Sequence, residues 1–185
     1  MSYISFIKES VRHLRTTGTI TRSSQEACKA LVSFTDFDTA RDIVELGAGD
    51  GVVTHHILKA MHPDARLFCF EVNDQFCQHL REIDDPRLLV IQDSAEKLEY
   101  YLEQNGISKV DSIISAIPFV AFSKEMTMDI LTLCNKVLKS GGAFSQIHYS
   151  LVLKKVYKKI FGDIKIKFVL RNIPPAFVLY KIKDK

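Results

Sequence analysis

The stretch Val44-Glu45-Leu46-Gly47-Ala48-Gly49-Asp50-Gly51 decides how the rest of the chain is read. It closes a short apolar run, Asp42–Leu46, and opens onto a segment with helical character, Val52–Met61. A strand that runs through a glycine-rich turn into a helix is where open α/β sheets hold ligands. Glycine lets the backbone turn tightly and come close to a bound molecule. The spacing is not that of a dinucleotide site, which has G-x-G-x-x-G. Here the third glycine comes one residue early, at Gly51, and Val52 holds the dinucleotide position.

Working outward from that turn, strands alternate with helices of about ten residues. Strands are expected at Arg66–Val72, Arg87–Ile91, Asp111–Ile117 and Ala143–Tyr149, the last after a Gly141-Gly142 turn. Helices are expected at Asp74–Ile83, Ala95–Gln104, Lys124–Leu138 and Leu151–Phe161. Such alternation produces βαβ units and a parallel sheet covered on both faces. Lys165–Arg171 and Ala176–Lys183 read as strands separated only by Asn172-Ile173-Pro174-Pro175, too short for a helical crossover, so they form a hairpin. The expected fold is α/β, a seven-stranded, mostly parallel sheet with an antiparallel last strand and helices on both faces.

Before the alternation lies a segment of another kind, and the sequence divides into a helical appendage at 1–40 and a sheet domain at 41–185. Tyr3 to Arg15 has helical period, with Tyr3, Ile4, Ile7, Val11 and Leu14 in one arc, Phe6 just outside it, and Lys8, Arg12 and Arg15 flanking. Ser23-Ser24-Gln25-Glu26 reads as a capping box with Ser23 as cap, opening a helix to about Phe34.

A chain of 185 residues with 46% hydrophobic and 25% charged residues is neither disordered nor fibrous. No apolar run approaches the roughly 18 residues of a membrane span. The N-terminus lacks the apolar core of a signal peptide, and Cys28, Cys69, Cys77 and Cys134 are scattered, so a cytoplasmic location without disulfides or a metal is expected. The net charge of +3 hides an asymmetry: residues 42–150 carry −7, whereas residues 151–185, with ten Lys/Arg against two Asp/Glu, carry +8. A basic end of that kind meets nucleic acid, an anionic membrane, or only water.

The spacing E-x-G-x-G-x-G, carried by Glu45, Gly47, Gly49 and Gly51, resembles the first motif of class I S-adenosylmethionine-dependent methyltransferases. Glu71 then falls at the end of the second strand, where a carboxylate accepts both ribose hydroxyls of an adenosine. The third strand ends in Gln92-Asp93-Ser94-Ala95; Asp93 can accept from an adenine amino group, and the neighbouring backbone N–H can serve a ring nitrogen. Asp93 is also a good helix cap, and both roles can hold at once. The cofactor-binding set is Glu45, Gly47, Ala48, Gly49, Gly51, Glu71, Val72, Asn73, Asp93, Ser94, Ala95 and Ser115. The fourth strand ends in Ser115-Ala116-Ile117-Pro118-Phe119, where the methyl acceptor sits in this reading. Nucleobase amine methyltransferases have Asn or Asp where this chain has Ala116. Phe119 offers a ring face for a cationic nitrogen by cation–π attraction.

Over nearly its whole length the chain resembles the bacterial phospholipid N-methyltransferases, relatives of the rRNA adenine dimethyltransferases. Four stretches carry the likeness: Thr17–Ser24, Glu45–Gly51, Ser115–Phe119, and a tail pairing Gly141–Tyr149 with Arg171-Asn-Ile-Pro-Pro-Ala176. Arg22 departs from the family, which often has Pro there. The resemblance implies a Rossmann-like class I methyltransferase fold and transfer of a methyl group from S-adenosylmethionine to an aminolipid such as phosphatidylethanolamine. It implies peripheral association with an anionic membrane surface, leaving S-adenosylhomocysteine as product. The acceptor side is assigned to Pro118, Phe119 and Tyr149, with His148 as the alternative to Tyr149. The chain ends without the helical domain that follows the sheet in rRNA dimethyltransferases, which makes nucleic acid the weaker partner. The remaining alternatives are another amine, in RNA, a protein or a metabolite, and a non-catalytic membrane module. Nothing in the chain demands an oligomer. The apolar stripe of the first helix, bordered by basic residues, has the layout of an interfacial anchor.

Overall fold

The structure, a computed structural model, describes residues 24–184. The expected helix at Tyr3–Arg15, its anchoring role and the departure at Arg22 lie outside the described residues. The described chain opens with α1 (Gln25–Val32), followed by β1 (Asp42–Leu46), α2 (Val52–Ala60), β2 (Arg66–Phe70), α3 (Asp74–Arg81) and β3 (Leu88–Ile91). It continues with α4 (Leu98–Gln104), β4 (Val110–Ser115), α5 (Lys124–Val137), β5 (Leu138–His148), α6 (Lys154–Phe161), β6 (Lys165–Val169) and β7 (Ala176–Ile182).

The seven strands form one sheet in the order β3-β2-β1-β4-β5-β7-β6. β1 to β5 are parallel neighbours, and β7 runs antiparallel between β5 and β6. The chain order reverses between β1 and β4, the switch point at which doubly wound sheets open a crevice. Register makes that crevice sharp: Leu46 pairs with Phe70 and with Ser115, and Phe70 pairs with Ile91. Residues immediately after these four therefore emerge at one level along the carboxyl edge.

Alternation along the strands divides the core. Val44, Leu46, Phe68, Phe70, Ile113 and Phe144 face α4, α5 and α6, where Leu98, Met126, Ile130, Cys134 and Tyr157 meet them. Ile43, Leu67, Ile114 and Val178 face the opposite layer with Ala27, Cys28 and Leu31 of α1 and Val53 and Ile57 of α2. α5 shows why such segments become helices: Ser123 accepts from the Met126 N–H at 3.2 Å, and Met126, Ile130, Cys134 and Val137 recur on one buried face.

Several expectations are corrected. α1 is capped by Ser24, whose hydroxyl accepts from the Ala27 N–H at 3.1 Å, one residue later than the capping-box reading. α1 also packs on the sheet, with Ala27, Cys28 and Leu31 fully buried, so the division at residue 40 falls inside a packed unit. Gly141-Gly142 does not precede β5 but lies within it. Leu138 pairs with Val110 and Ala143 with Ser112, so the chain bulges between them. Gly141 takes φ +77°, and a Cβ on Gly142 would lie 2.9 Å from two backbone carbonyl oxygens, those of Asp111 and Lys139. Ala95–Lys97 is a 3₁₀ turn rather than the start of α4.

The Asn-Ile-Pro-Pro turn has a structural purpose. Asn172 is buried; its Oδ1 accepts from the Ser24 N–H at 2.9 Å and its Nδ2 donates to the Pro174 carbonyl at 2.7 Å. One side chain thus fastens the start of α1 to the β6–β7 hairpin. Asn172→Ala removes both bonds and leaves the Ser24 N–H and the Pro174 carbonyl without this partner; the predicted cost is about 1–3 kcal/mol, read from the urea unfolding midpoint. A variant as stable as the wild type contradicts this role.

Candidate active site

The glycine turn after β1 has a shape only glycine permits. Gly47, Gly49 and Gly51 take φ of +75°, +59° and +80°. A Cβ on Gly47 would meet Ile117 at 3.1 Å from its side chain and 3.2 Å from its backbone nitrogen. Gly51 starts α2 in a left-handed conformation, and a Cβ there would press on Leu80 at 3.1 Å. The Gly47 N–H donates to the Phe70 carbonyl at 2.8 Å, which ties the turn to the end of β2.

Glu71, the next residue, completes the tie. Its Oε2 accepts from the Gly49 N–H at 2.8 Å, and its Oε1 accepts from the Val72 and Asn73 N–H groups, each at 2.8 Å. Three charge-assisted bonds hold the carboxylate rigidly between two loops. A carboxylate has about four acceptor sites, so a further hydroxyl can still be received. Asn73 serves mainly as the cap of α3, accepting from the Gln75 and Phe76 N–H groups.

Asp93 accepts from the Ser94 N–H at 2.7 Å and from the Tyr101 hydroxyl at 3.0 Å. The capping alternative falls to its neighbour: Ser94 accepts from the Glu96 N–H and caps the 3₁₀ turn. Loss of solvent and the bond to Asp93 raise the Tyr101 phenol above its ordinary value.

Glu45 lies beneath the turn rather than in it. It is buried, with Oε2 accepting from the Thr54 hydroxyl at 2.7 Å and the Cys69 thiol at 3.5 Å, while Oε1 has no partner. Burial pushes its carboxyl up to about 7, against the lowering effect of the Thr54 and Cys69 bonds; burial and Glu45 in turn push the Cys69 thiol up.

These elements border a cleft lined by Gly47, Gly49, Phe70, Glu71, Val72, Phe76, Asp93, Ser94, Ala95, Ala116, Ile117, Pro118, Phe122, Met126 and Ile130. Its polar side chains, Glu71, Asp93 and Ser94, come from the loops after β2 and β3, and the wall from the loop after β4 and from α5 is apolar. The cleft gathers Gly47, Gly49, Glu71, Val72, Asp93, Ser94, Ala95 and Pro118 from the residues expected from sequence. Ala48, Gly51, Asn73, Glu45 and Ser115 support it from behind; Ser115 is fully buried, its hydroxyl accepting from the Ile117 N–H at 3.4 Å.

Two acceptor-side expectations are not placed at the cleft. Phe119 is 1% exposed, edge-on to Phe122 and Tyr157, because the 3₁₀ turn Phe119–Ala121 directs it into the core. Phe122 presents its ring to the cleft instead. Tyr149 packs with the α1–α2 side of the core. His148 points to the other face and bonds the Tyr157 hydroxyl through Nε2 at 2.8 Å; burial lowers its imidazole to about 4. Sequence reading missed Phe76, Phe122, Met126 and Ile130. The i, i+4 spacing of the last two is a helical signal, but nothing in it says that the stripe reaches a cleft. It also missed Gln146, whose buried amide donates to the Ile117 carbonyl at 3.0 Å and steadies the loop after β4.

Among the described residues, no cluster of three His, Cys, Asp or Glu could hold a metal ion, and no helix is long and apolar enough to cross a membrane.

A doubly wound sheet with a glycine turn after β1 and acids after β2 and β3 is the design of a class I methyltransferase. Residues 43–142 match the family described as methyltransferase domain. The chain is 30% identical over 177 residues to the ornithine lipid N-methyltransferase of Singulisphaera acidiphila, covering 94% of this chain and 92% of that protein. The precorrin-6y C5,15-methyltransferase of Geobacter metallireducens superposes with a TM-score of 0.69 at 17% identity, over 89% of this chain and 90% of that one. Fibrillarin of Aeropyrum pernix, solved with S-adenosyl-L-methionine bound, superposes with a TM-score of 0.58 at 18% identity, over 80% of this chain and 67% of that one. The chain therefore belongs to the S-adenosylmethionine-dependent class I methyltransferases, in the family of that lipid N-methyltransferase.

The Glu45 carboxyl gives a pH prediction. Its folded value of about 7 lies above the ordinary 4.5, so between these values the folded state holds the extra proton. Stability from this group is full on the acid side and is lost as pH rises toward 7, by on the order of 3 kcal/mol. The depressed His148 acts oppositely, losing stability as pH falls below its ordinary 6.5 toward 4. The readout is therefore the difference between proteins. Glu45→Gln is predicted to gain stability relative to wild type from about pH 5 to about pH 8 in urea unfolding. A constant difference across that range contradicts the assignment.

Proposed function

We propose that this methyltransferase acts on the primary amine of a membrane lipid, binding S-adenosylmethionine across the carboxyl edge of β1, β2 and β3 and the amine against the loop after β4. The observation that carries the proposal is the two-sided cleft, with a fixed polar cradle on one side and an apolar wall on the other. The cofactor fits the cradle. Gly47 lets the turn pass close against Ile117, Glu71 keeps acceptor capacity for a ribose hydroxyl, and Asp93 lies on the side of the cleft that takes the adenine edge. Val72, Phe76 and Ala95 offer apolar surface for the ring. When bound, S-adenosylmethionine supplies an electrophilic methyl group that passes to nitrogen in one displacement, leaving S-adenosylhomocysteine.

The chain's own residues do the rest by positioning and exclusion of water. An ammonium has no lone pair to give, so the amine must lose a proton before it reacts. Ile117, Pro118, Phe122 and Met126 surround it with apolar surface, and such surroundings favour the neutral amine over the ammonium. Ala116 offers no side-chain hydrogen bond to a flat nucleobase amine, which supports an aliphatic amine. The Singulisphaera relative bears the name of an enzyme acting on ornithine lipid; that lipid and phosphatidylethanolamine both present a primary amine. Phe122 is the ring placed to meet a methylated, cationic nitrogen, a contact of roughly 0.5–2 kcal/mol.

The test is incubation with labelled S-adenosylmethionine, total lipid extract and, separately, ribosomal RNA. The expected result is label in the lipid fraction, with mass spectrometry showing an aminolipid gaining methyl groups one at a time. Comparison of purified ornithine lipid with phosphatidylethanolamine ranks the head groups. Label in RNA and none in lipid overturns the proposal.

A further inference from the structure

Of the eight large apolar side chains exposed among the described residues, four sit in turns on one side of this molecule, whereas Leu89, Phe168 and Ile182 lie in strands and Tyr100 in α4. Val120 is 50% exposed, Val152 73%, Leu170 71% and Ile173 86%. Val120 follows β4, Val152 follows β5, and Leu170 and Ile173 lie in the turn between β6 and β7. Register puts all of these loops on one edge. Ser115 at the end of β4 pairs with Gln146, His148 at the end of β5 pairs with Phe177 at the start of β7, and Val169 pairs with Ala176 across the hairpin turn. That edge is the one on which the cleft opens, since Ala116, Ile117 and Pro118 of the loop carrying Val120 line it.

The charge on this side differs from that on the cofactor side. Lys124 begins α5, Lys154 and Lys155 begin α6, and Arg171 lies in the hairpin, with Glu125 beside Lys124. The turns after β1 and β2 instead expose Asp50 and Asp74. Apolar tips framed by cations suit a surface that is anionic outside and hydrocarbon within, because the cations are drawn to the head groups and the tips enter the acyl boundary. A nucleic acid would use the cations but has no place for Val152 and Leu170.

We infer that the loops after β4 and β5, with the β6–β7 hairpin, form the face that docks on an anionic lipid bilayer, setting the acceptor side of the cleft against the membrane. This rests on the aminolipid reading and adds to it a defined surface and orientation. A lipid amine then reaches the Ile117–Phe122 loop without leaving the bilayer, while the cradle of Glu71 and Asp93 stays toward water.

All four native cysteines are buried, so a single exposed thiol can be labelled selectively. In the full chain, Leu170→Cys carries an environment-sensitive fluorophore, and Ser108→Cys, exposed just before β4 on the opposite edge, carries it as control. Vesicles of phosphatidylglycerol and phosphatidylcholine are added. The expected result is a blue shift at position 170 and none at 108, diminishing with added salt as screening shortens the reach of the cations. No shift at 170, equal shifts at both positions, or a blue-shifted label at 170 before vesicles are added overturns the inference; the last shows that the chain itself or a second copy covers the patch. Leu170→Ser with Val152→Ser provides the second arm. Methyl transfer to lipid in vesicles should fall at least tenfold, while transfer to the same lipid dispersed in detergent is unchanged. Equal loss in both overturns docking, whereas no transfer to lipid by the wild type in either form overturns the aminolipid reading itself.

Discussion

The Glu71 carboxylate is the constraint on which the site depends. It receives N–H groups from Gly49 on one loop and Val72 and Asn73 on another, and so locks the turn after β1 to the turn after β2. Each loop alone would be an irregular connection with orphan donors. The Phe70 carbonyl, accepting from Gly47, adds a backbone bond across the same gap. Beneath it, the buried pair of Glu45 and Thr54 joins β1 to the first turn of α2. The result is a preorganised cradle whose polar groups need little rearrangement to meet a ligand, which is where binding energy is least wasted.

The other half of the cleft is built on the opposite plan. Its wall of Ile117, Pro118, Phe122, Met126 and Ile130 presents no charged side chain. His148, the nearby titratable group that might have served as a base, is buried against Tyr157 and held neutral. Methyl transfer to an amine is suited to such a wall, because the reaction needs orientation and a neutral nucleophile more than a strong base.

The strand–helix alternation and the glycine turn make the fold and cradle legible, because periodicity and glycine geometry act over a few residues. Glu71 and Asp93 are legible for the same reason: they stand directly after strands whose ends the sequence marks. The acceptor side depends on where a turn points each ring, and a one-turn 3₁₀ segment exchanges Phe119 for Phe122 without any signature in composition. Tyr149 and His148 sit at a strand end, yet which of the two faces a cleft depends on helix packing over β5. The Gly141-Gly142 pair reads as a turn locally and becomes a bulge only because β4 supplies a partner on either side of it. Gln146 acts through a long-range bond to Ile117, and no short window of sequence reveals it.

The most direct test of the central claim is calorimetric titration of S-adenosylhomocysteine into wild type and Glu71→Ala, with circular dichroism verifying that both are folded. If the clamped carboxylate is the cradle's anchor for the ribose, the variant loses about 1.5–3 kcal/mol of binding, roughly a ten- to hundredfold weaker Kd, at unchanged secondary structure. An unaltered Kd in the folded variant, or no binding by the wild type, contradicts the account.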